Sequence, residues 1–165
     1  IWELLSDSEV LLCAGDLLYH GPRFDPVASY SPRALAEAIN ACPVPIIIAR
    51  GNADSEVDTL FVQPPLQSPY AFVQLEGTRL LVTHGHLESP EKLLELAARW
   101  RVDILINGHF HVPHLTPHDG FVHINPGTPT YPLSKDPALC RPTCARIVDG
   151  VPEVLDLATG EVLLR

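Results

Sequence analysis

The sequence contains no methionine among its 165 residues, not even at position 1. We therefore expect that it is not a complete translated reading frame. A strand, a turn and a helix start of ordinary length would add about 20 to 25 residues before Ile1. The opening residues 1–10, IWELLSDSEV, have the pattern of the last turns of an amphipathic helix.

Long apolar runs and clusters of basic residues are also missing. No window approaches the ~20 continuous apolar residues that a membrane-spanning helix needs, and there is no signal-peptide pattern. The net charge is −9, from 11 Lys and Arg against 20 Asp and Glu. Such a surface repels a phosphate backbone, so we expect no nucleic-acid groove. The lack of a long apolar run and of a signal peptide leads us to expect no membrane partner and a cytoplasmic location. A small anionic substrate stays compatible with this charge, because a bound metal ion reverses the local potential.

The four cysteines lack the CxxC spacing that is typical of metal-binding and redox motifs. Cys13 and Cys42 lie in apolar segments, where a cysteine behaves as a small hydrophobic residue. We expect reduced thiols; a loop clip or a metal held by Cys140 and Cys144 is the less favoured alternative. A structural metal site is disfavoured too, since such sites are usually closed and rich in cysteine.

The patterns that are present alternate between strand and helix and then become mostly strand. Apolar runs predict strands over 9–13, 45–49, 71–75, 79–83, 103–106 and 121–125 and within the tail 145–164, and helices over 32–42 and from Pro90 onward. Ser89 is the predicted N-cap of the second helix, with Leu93, Leu96, Ala97 and Trp100 as its buried face. This order predicts an α/β fold, residues 1–165 as one domain, with two packed sheets and helices outside.

Four apolar strands end in a glycine beside a side chain that can bind metal. The four stretches are LLCAGD, IIIARGN, LLVTHGH and ILINGHFH. Ligands of open α/β sheets bind outside the carboxyl ends of strands, so these ends can converge on one cavity. The side chains that would meet there are Asp16, Asn52, His84, His86, His109 and His111.

Each of these residues alone has an ordinary structural explanation. Asp16 or Asn52 can cap a following helix, and a single His84 is more often a hydrogen-bonded, partly buried histidine than a ligand. The ordinary explanations would have to apply independently at four strand ends, which makes chance a poor account of the pattern. One carboxylate, one amide oxygen and three or more imidazoles suit manganese, iron, zinc or nickel better than magnesium or calcium.

The ordered set GD at 15–16, GN at 51–52, His84 and GHFH at 108–111 resembles the calcineurin-like metallophosphoesterases, whose pattern is DxH, GD, GN, a single H and GHxH. The stretches GDLLYHGPR, RGNADSEVD, THGH and NPGTPTYP are similar to small bacterial phosphodiesterases of the YfcE type. The resemblance extends from about Val10 to about Pro132. It implies a four-layer αββα sandwich of two packed sheets flanked by helices, here with its first strand missing.

The resemblance also implies two divalent metal ions, with manganese favoured and zinc, iron or nickel as alternatives. They would hold a bridging hydroxide that hydrolyses a small phosphodiester or phosphomonoester. By the same resemblance, Asp16 would bridge the ions, Asn52, His84 and His109 would complete the second site, and His111 would belong to the first. The implied catalytic residues are Asn52, His86 and His20, and the residues expected near substrate or behind the ligands are Arg23, Asp54 and Phe110.

Three departures from the family pattern affect these expectations. SDS at 6–8 lacks the histidine of DxH, which leaves Asp16 and His111 at the first metal. Ala53 stands where many relatives have the histidine that protonates the leaving group, so the general acid is unassigned. Phe110 replaces a small residue and changes the pocket wall.

The rival hypothesis is a non-catalytic scaffold. The retromer subunit of the same fold is similar over VDILINGHFH and INPG, and it serves chiefly as a binding surface. We favour the enzyme, because the residues of the second metal site are all present. The segment 61–70 could form a dimer edge in a homo-oligomer, but a solvated loop is the better interpretation.

Overall fold

The computed structural model describes residues 1–19 and 25–165. Its strands are β1 (Leu11–Cys13), β2 (Ile46–Ala49), β3 (Leu66–Gln67), β4 (Tyr70–Leu75), β5 (Thr78–Thr83), β6 (Ile104–Asn107), β7 (His114–His118), β8 (Phe121–Asn125), β9 (Thr143–Val148), β10 (Val151–Asp156) and β11 (Val162–Leu164). The helices are α1 (Pro32–Asn40), α2 (Pro90–Trp100) and a short 3₁₀ helix, Glu56–Leu60.

The strands form three sheets in the described part of the chain. One is parallel, in the order β1-β2-β3, and one is antiparallel, in the order β11-β10-β9. The largest has the order β4-β5-β6-β8-β7, in which β5, β6 and β8 run parallel. Thr83 pairs with Asn107 across β5 and β6, so the carboxyl ends of these two strands lie side by side.

Three apolar clusters define the layers. The central cluster joins residues of all three sheets, including Ala49 of β2, Val82 of β5 and Val154 of β10. On the outer face of the large sheet, Leu81 and Leu105 pack with residues of α2. Helix α1 covers the other side through a third cluster that contains Ala36, Ile39 and Ile48 of β2. The order helix, sheet, sheet, helix confirms the predicted four-layer sandwich.

Helix α2 begins as its sequence predicts. The Ser89 side chain accepts a hydrogen bond from the Lys92 backbone N–H, which satisfies one of the free donors of the first turn. Leu93, Leu96 and Ala97 are buried. Trp100 is only half-buried, against the prediction, and its ring packs edge-on against Tyr70 with 5.1 Å between the ring centroids.

Several local predictions differ from the structure. Residues 2–7 form turns and not the end of a helix, and α1 ends at Asn40 because the chain turns before Pro43. The proline-rich segment 61–70 contains β3, which pairs with β2. β7 was not predicted; it holds Pro117, which an edge strand tolerates. The interpretation of residues 1–165 as one domain stays a prediction.

The helices of the described ranges have at most 11 residues, and none of them is long and apolar enough to cross a membrane.

Candidate functional site

The predicted site lies where the loops after β1, β2, β5 and β6 meet. Asp16 follows β1, Asn52 follows β2, and His84 follows β5 directly. His109 lies two residues after β6. Because β5 and β6 are parallel neighbours, their final residues bring His84 and His109 together, with 5.0 Å between the ring centroids.

His84 is the centre of this group and is 2% exposed. Its Nε2 lies 3.2 Å from Asp16 Oδ2 and 3.0 Å from Asn52 Oδ1. His109 Nδ1 lies 3.2 Å from the same nitrogen. The structure therefore places Asp16, Asn52 and His109 around one nitrogen of His84.

The proton on His84 can be assigned from its other ring nitrogen. Nδ1 is 2.6 Å from the Ala14 carbonyl oxygen, which can only accept, so Nδ1 carries a proton. In neutral His84 the lone pair on Nε2 then faces a carboxylate oxygen of Asp16. A second proton on His84 or a metal ion must supply positive charge at this point, because these acceptors repel each other without it.

Asp16 and His84 stabilise each other's charged forms. Burial raises the pKa of Asp16, but hydrogen bonds from His84 and from the Ala53 backbone N–H (2.8 Å) together outweigh it, and the pKa lies below its ordinary value. Burial lowers the pKa of His84, yet the contact with Asp16 outweighs this effect and the pKa is raised. Burial and the neighbouring His84 lower the pKa of His109. His84 is thus the imidazole of the group that most readily holds a proton in place of a metal.

His111 is oriented in the way that is typical of a metal ligand. Its Nδ1 lies 3.0 Å from the Tyr131 carbonyl oxygen, which can only accept, so Nδ1 donates. Metal-binding histidines usually donate their second ring N–H to a carbonyl or carboxylate in this manner. His84 does the same with the Ala14 carbonyl.

The backbone at the site is held in unusual conformations. Asp16, His109 and His111 have φ values of 55°, 66° and 57°, in the left-handed region that side chains other than glycine seldom adopt. Such residues concentrate at functional sites, where the surrounding structure holds them. Gly51 permits the close approach of the β1 and β2 loops, since a Cβ there would collide with the backbone and carboxylate of Asp16.

Asp54 joins these two loops from behind. Its buried carboxylate accepts hydrogen bonds from the backbone N–H groups of Asp16 (2.9 Å), Leu17 (2.7 Å) and Gly51 (2.7 Å). Asp54 was expected either near the substrate or behind the metal ligands. These contacts occupy both carboxylate oxygens and therefore favour the position behind the ligands.

The remaining predicted residues lie around the group. His86 packs near His84, with ring centroids 5.2 Å apart; its Nδ1 is buried without a hydrogen-bond partner, and burial lowers its pKa. Phe110 is 42% exposed, and its ring meets the His109 ring edge-on with 5.2 Å between the centroids. His20 and Arg23 lie outside the described residues.

Sequence reasoning missed the residues that support the site through backbone groups. These are Ala14 and Tyr131, through their carbonyls, and Asn107 and Asn125, which both bind the Gly108 carbonyl. Carbonyl contacts leave no mark on residue type. The amides of Asn107 and Asn125, placed at the ends of apolar strands, were the available signal.

The donor set fits a divalent metal, although the donors now hydrogen-bond to one another. The described residues contain no group of three or more His, Cys, Asp or Glu side chains that could hold a metal ion without another ligand type. The group draws one donor from an amide, Asn52. A carboxylate, an amide oxygen and two imidazole nitrogens around one point are nevertheless the ligand types that manganese, iron, nickel and zinc accept.

Comparison with known proteins agrees with this chemistry. Residues 1–146 match the model of the calcineurin-like phosphoesterase superfamily domain. Phosphodiesterase YfcE of Escherichia coli K12 is 39% identical over 133 residues, which cover 81% of this chain and 71% of that protein. A probable metallophosphoesterase of Methanothermobacter thermautotrophicus is 28% identical over 142 residues, covering 84% of this chain and 71% of that protein.

Solved structures give the same result for the fold. The structure of the phosphoesterase YfcE from E. coli superposes with a TM-score of 0.82 and 31% identity, covering 98% of this chain and 86% of that one. Vacuolar Protein Sorting 29 from Cryptosporidium parvum superposes with a TM-score of 0.68, covering 99% of this chain and 83% of that one. Its identity of 24% shows a shared fold alone.

Proposed function

The chain belongs to the calcineurin-like phosphoesterase superfamily and is a phosphoester hydrolase by that membership, and we propose that it binds two divalent metal ions at the carboxyl ends of its strands. The proposed ligands are Asp16, Asn52, His84, His109 and His111. One observation carries the proposal: His84 Nε2, with its proton already assigned to Nδ1, faces Asp16, Asn52 and His109 within 3.0 to 3.2 Å.

When bound, two such ions would supply a bridging hydroxide for in-line attack on phosphorus and would neutralise the phosphoryl oxygens. The protein's own contribution is orientation. The Ala14 and Tyr131 carbonyls fix the tautomers of His84 and His111, and Asp54 holds the loops that carry Asp16 and Asn52.

His86 is the proposed proton-transfer residue. Its lowered pKa favours the neutral ring at pH 7, in which one ring nitrogen keeps a lone pair that can take up a proton, and its buried Nδ1 has no hydrogen-bond partner. It lies next to His84 without hydrogen-bonding to it. Asn52 reaches the same space from the opposite loop, and we propose that it also contacts the reacting phosphate.

The proposed substrate is a small phosphodiester or phosphomonoester, and manganese is the proposed metal. A net charge of −9 argues against a long nucleic acid. The proposed location is the cytoplasm, and a homo-oligomer stays an untested prediction.

The scaffold hypothesis has weaker support. Vacuolar Protein Sorting 29 is similar in fold, but at 24% identity this similarity carries no residue role to the present chain. Phosphodiesterase YfcE is similar in both sequence and fold. We therefore favour catalysis and treat inactive protein with no metal affinity as the outcome that supports the scaffold.

Asp16→Asn in the full-length protein tests the proposal. Loss of the carboxylate should lower both Mn²⁺ affinity and phosphodiester hydrolysis by more than about 100-fold, since even residues behind metal ligands commonly change either by about 10- to 100-fold. Asp58→Asn is the matched control, because Asp58 also accepts one backbone N–H bond, from Ser55 at 2.7 Å, in the 3₁₀ helix. Full activity and metal content in D16N would refute the assignment.

A further inference from the structure

The Gly108 carbonyl accepts hydrogen bonds from two buried side-chain amides. Asn107 Nδ2 donates at 3.1 Å and Asn125 Nδ2 at 2.9 Å. Asn107 is 1% exposed and Asn125 is fully buried. The Phe110 backbone N–H donates to the same oxygen at 2.8 Å. A buried amide costs free energy unless it is hydrogen-bonded, and this carbonyl gives both asparagines a partner.

The other atom of each amide is also bound, which fixes both orientations. His123 Nε2 lies 2.8 Å from Asn107 Oδ1, and the Gly127 backbone N–H donates to Asn125 Oδ1 at 2.9 Å. Burial lowers the pKa of His123 to about 4, so its ring is neutral at pH 7 and has a single N–H to donate. Neither amide can rotate by 180° without losing a bond.

The backbone of Gly108 is linked to two proposed metal ligands, His84 and His109. Its backbone N–H donates to the His84 carbonyl oxygen at 3.2 Å. Its carbonyl carbon is joined to the nitrogen of His109, whose φ of 66° is strained for a residue with a side chain. A fixed peptide between Gly108 and His109 therefore holds the His109 backbone in place and limits the positions that its ring can take.

We propose that Asn107 and Asn125 are positioning residues that clamp the Gly108 carbonyl and hold His109 in its binding direction, and that His123 orients Asn107. The proposal rests on the proposed role of His109 as a ligand. It adds supporting residues on β6 and β8 behind the proposed ligand His109.

Asn125→Leu tests the clamp, since leucine has nearly the shape of asparagine without its hydrogen bonds. Asn40→Leu is a matched control: Asn40 donates to the Phe61 carbonyl at 2.7 Å and accepts from the Gln63 N–H at 2.8 Å, away from the site. Mn²⁺ affinity of the full-length protein is measured by calorimetry, and exchange of the amide hydrogens of residues 108–111 by mass spectrometry.

We expect N125L to bind Mn²⁺ about 10-fold more weakly and to exchange these amides faster, while N40L changes neither. A folded N125L with the parent's affinity and exchange would overturn the proposal. If the parent itself binds no Mn²⁺, the proposed function fails, and the exchange comparison still decides whether the clamp exists.

A second pair of variants covers the case in which N125L does not fold. His123→Gln keeps a donor for Asn107, and His123→Leu removes it. We expect H123Q to retain the parent's Mn²⁺ affinity and exchange, and H123L to lose affinity and to exchange residues 108–111 faster. Equal behaviour of H123Q and H123L would contradict the role of His123 and, with N125L unfolded, the clamp as well.

Discussion

Phe110 presents an exposed aromatic ring beside a proposed ligand. The residue is 42% exposed, and its ring contacts the His109 ring edge-on. Phe110→Thr should change KM or the preference among phosphodiesters, with the largest effect on diesters that have an aromatic group, because such a group loses an aromatic contact of about 0.5 to 1.5 kcal/mol. Mn²⁺ affinity should be unchanged.

Phe72→Thr is the control for Phe110→Thr. Phe72 lies on β4, is also exposed and also contacts an aromatic ring, that of Trp100. Initial rates on several aryl and alkyl diesters give KM and kcat for each variant. If F110T and F72T are equally indistinguishable from the parent, Phe110 does not line the substrate pocket.

His123 should make the protein less stable in acid. Its pKa is lowered to about 4 by burial and by the charges of His114 and His118, so the unfolded chain, with a pKa near 6.5, binds the proton more readily. Stability is thus complete above pH 6.5 and falls as the pH drops toward 4. Linkage between these two values gives a loss of about 2 kcal/mol from pH 7 to pH 5.

Urea unfolding of the metal-free protein at pH 7 and pH 5 checks this loss, with H123Q as the reference. Glutamine does not titrate, so the free energy of unfolding of H123Q should fall less than that of the parent by about 2 kcal/mol. An identical loss in both proteins would show that other groups, such as His114, account for the acid sensitivity.

The individual site residues were predictable to different degrees. The strand-end pattern led to Asp16, Asn52, His84 and His109, which the structure brings into contact; their binding of metal stays a prediction. Asn125 was not found, because its partner is the carbonyl of a residue 17 positions away in the chain. No spacing of residue types in the sequence predicts a contact with a backbone carbonyl at that separation.

The loops after β1 and β2 form one unit through Gly51. A Cβ at this position would collide with Asp16, while Asp54 ties the two loops together. Gly51→Ala should therefore displace Asp16, lower Mn²⁺ affinity about 10-fold or more, and cost about 1 to 3 kcal/mol of stability from overpacking.

Gly77→Ala is the control for Gly51→Ala. It adds a Cβ to a glycine of the chain without a collision at the site. Gly77 has a φ of +87°, and a Cβ added there would meet no described atom within 4 Å, so alanine should cost only about 1 to 2 kcal/mol of left-handed strain. Urea unfolding and Mn²⁺ titration of both variants provide the comparison. Equal metal affinity in G51A and G77A would show that the β1 and β2 loops do not determine the position of Asp16.

Secondary-structure elements were predictable where apolar periodicity was strong. The β4–β5 hairpin, β8 and the start of α2 lie within a residue or so of their predicted bounds. β7 was missed because HLTPH contains a proline and two histidines in place of an apolar run; pairing with β8 forms it. β3 has two residues and exists through its pairing with β2, which no local pattern encodes.

At the level of the whole molecule, the order of elements and the family resemblance predicted the four-layer sandwich. The early alternation of strand and helix gives the sheet β1-β2-β3 and its helix α1. The predominance of strands at the end gives the antiparallel sheet β11-β10-β9, whose Val154 packs in the central core. The separation of the strands into three sheets was not predictable, since it depends on which edges pair.

The acidic character of the whole chain should control how an anionic substrate approaches. A net charge of −9 repels a phosphodiester over a distance set by the Debye length, which is about 30 Å at 0.01 M salt and about 10 Å at 0.1 M. Added KCl screens this repulsion, so KM should fall, on the order of twofold, between 0.01 and 0.15 M KCl, with kcat unchanged. Initial-rate measurements at constant Mn²⁺ concentration test this expectation. A KM that rises with salt would mean that the positive centre formed by the bound ions dominates the field at the substrate, so that the net charge of the chain does not govern capture.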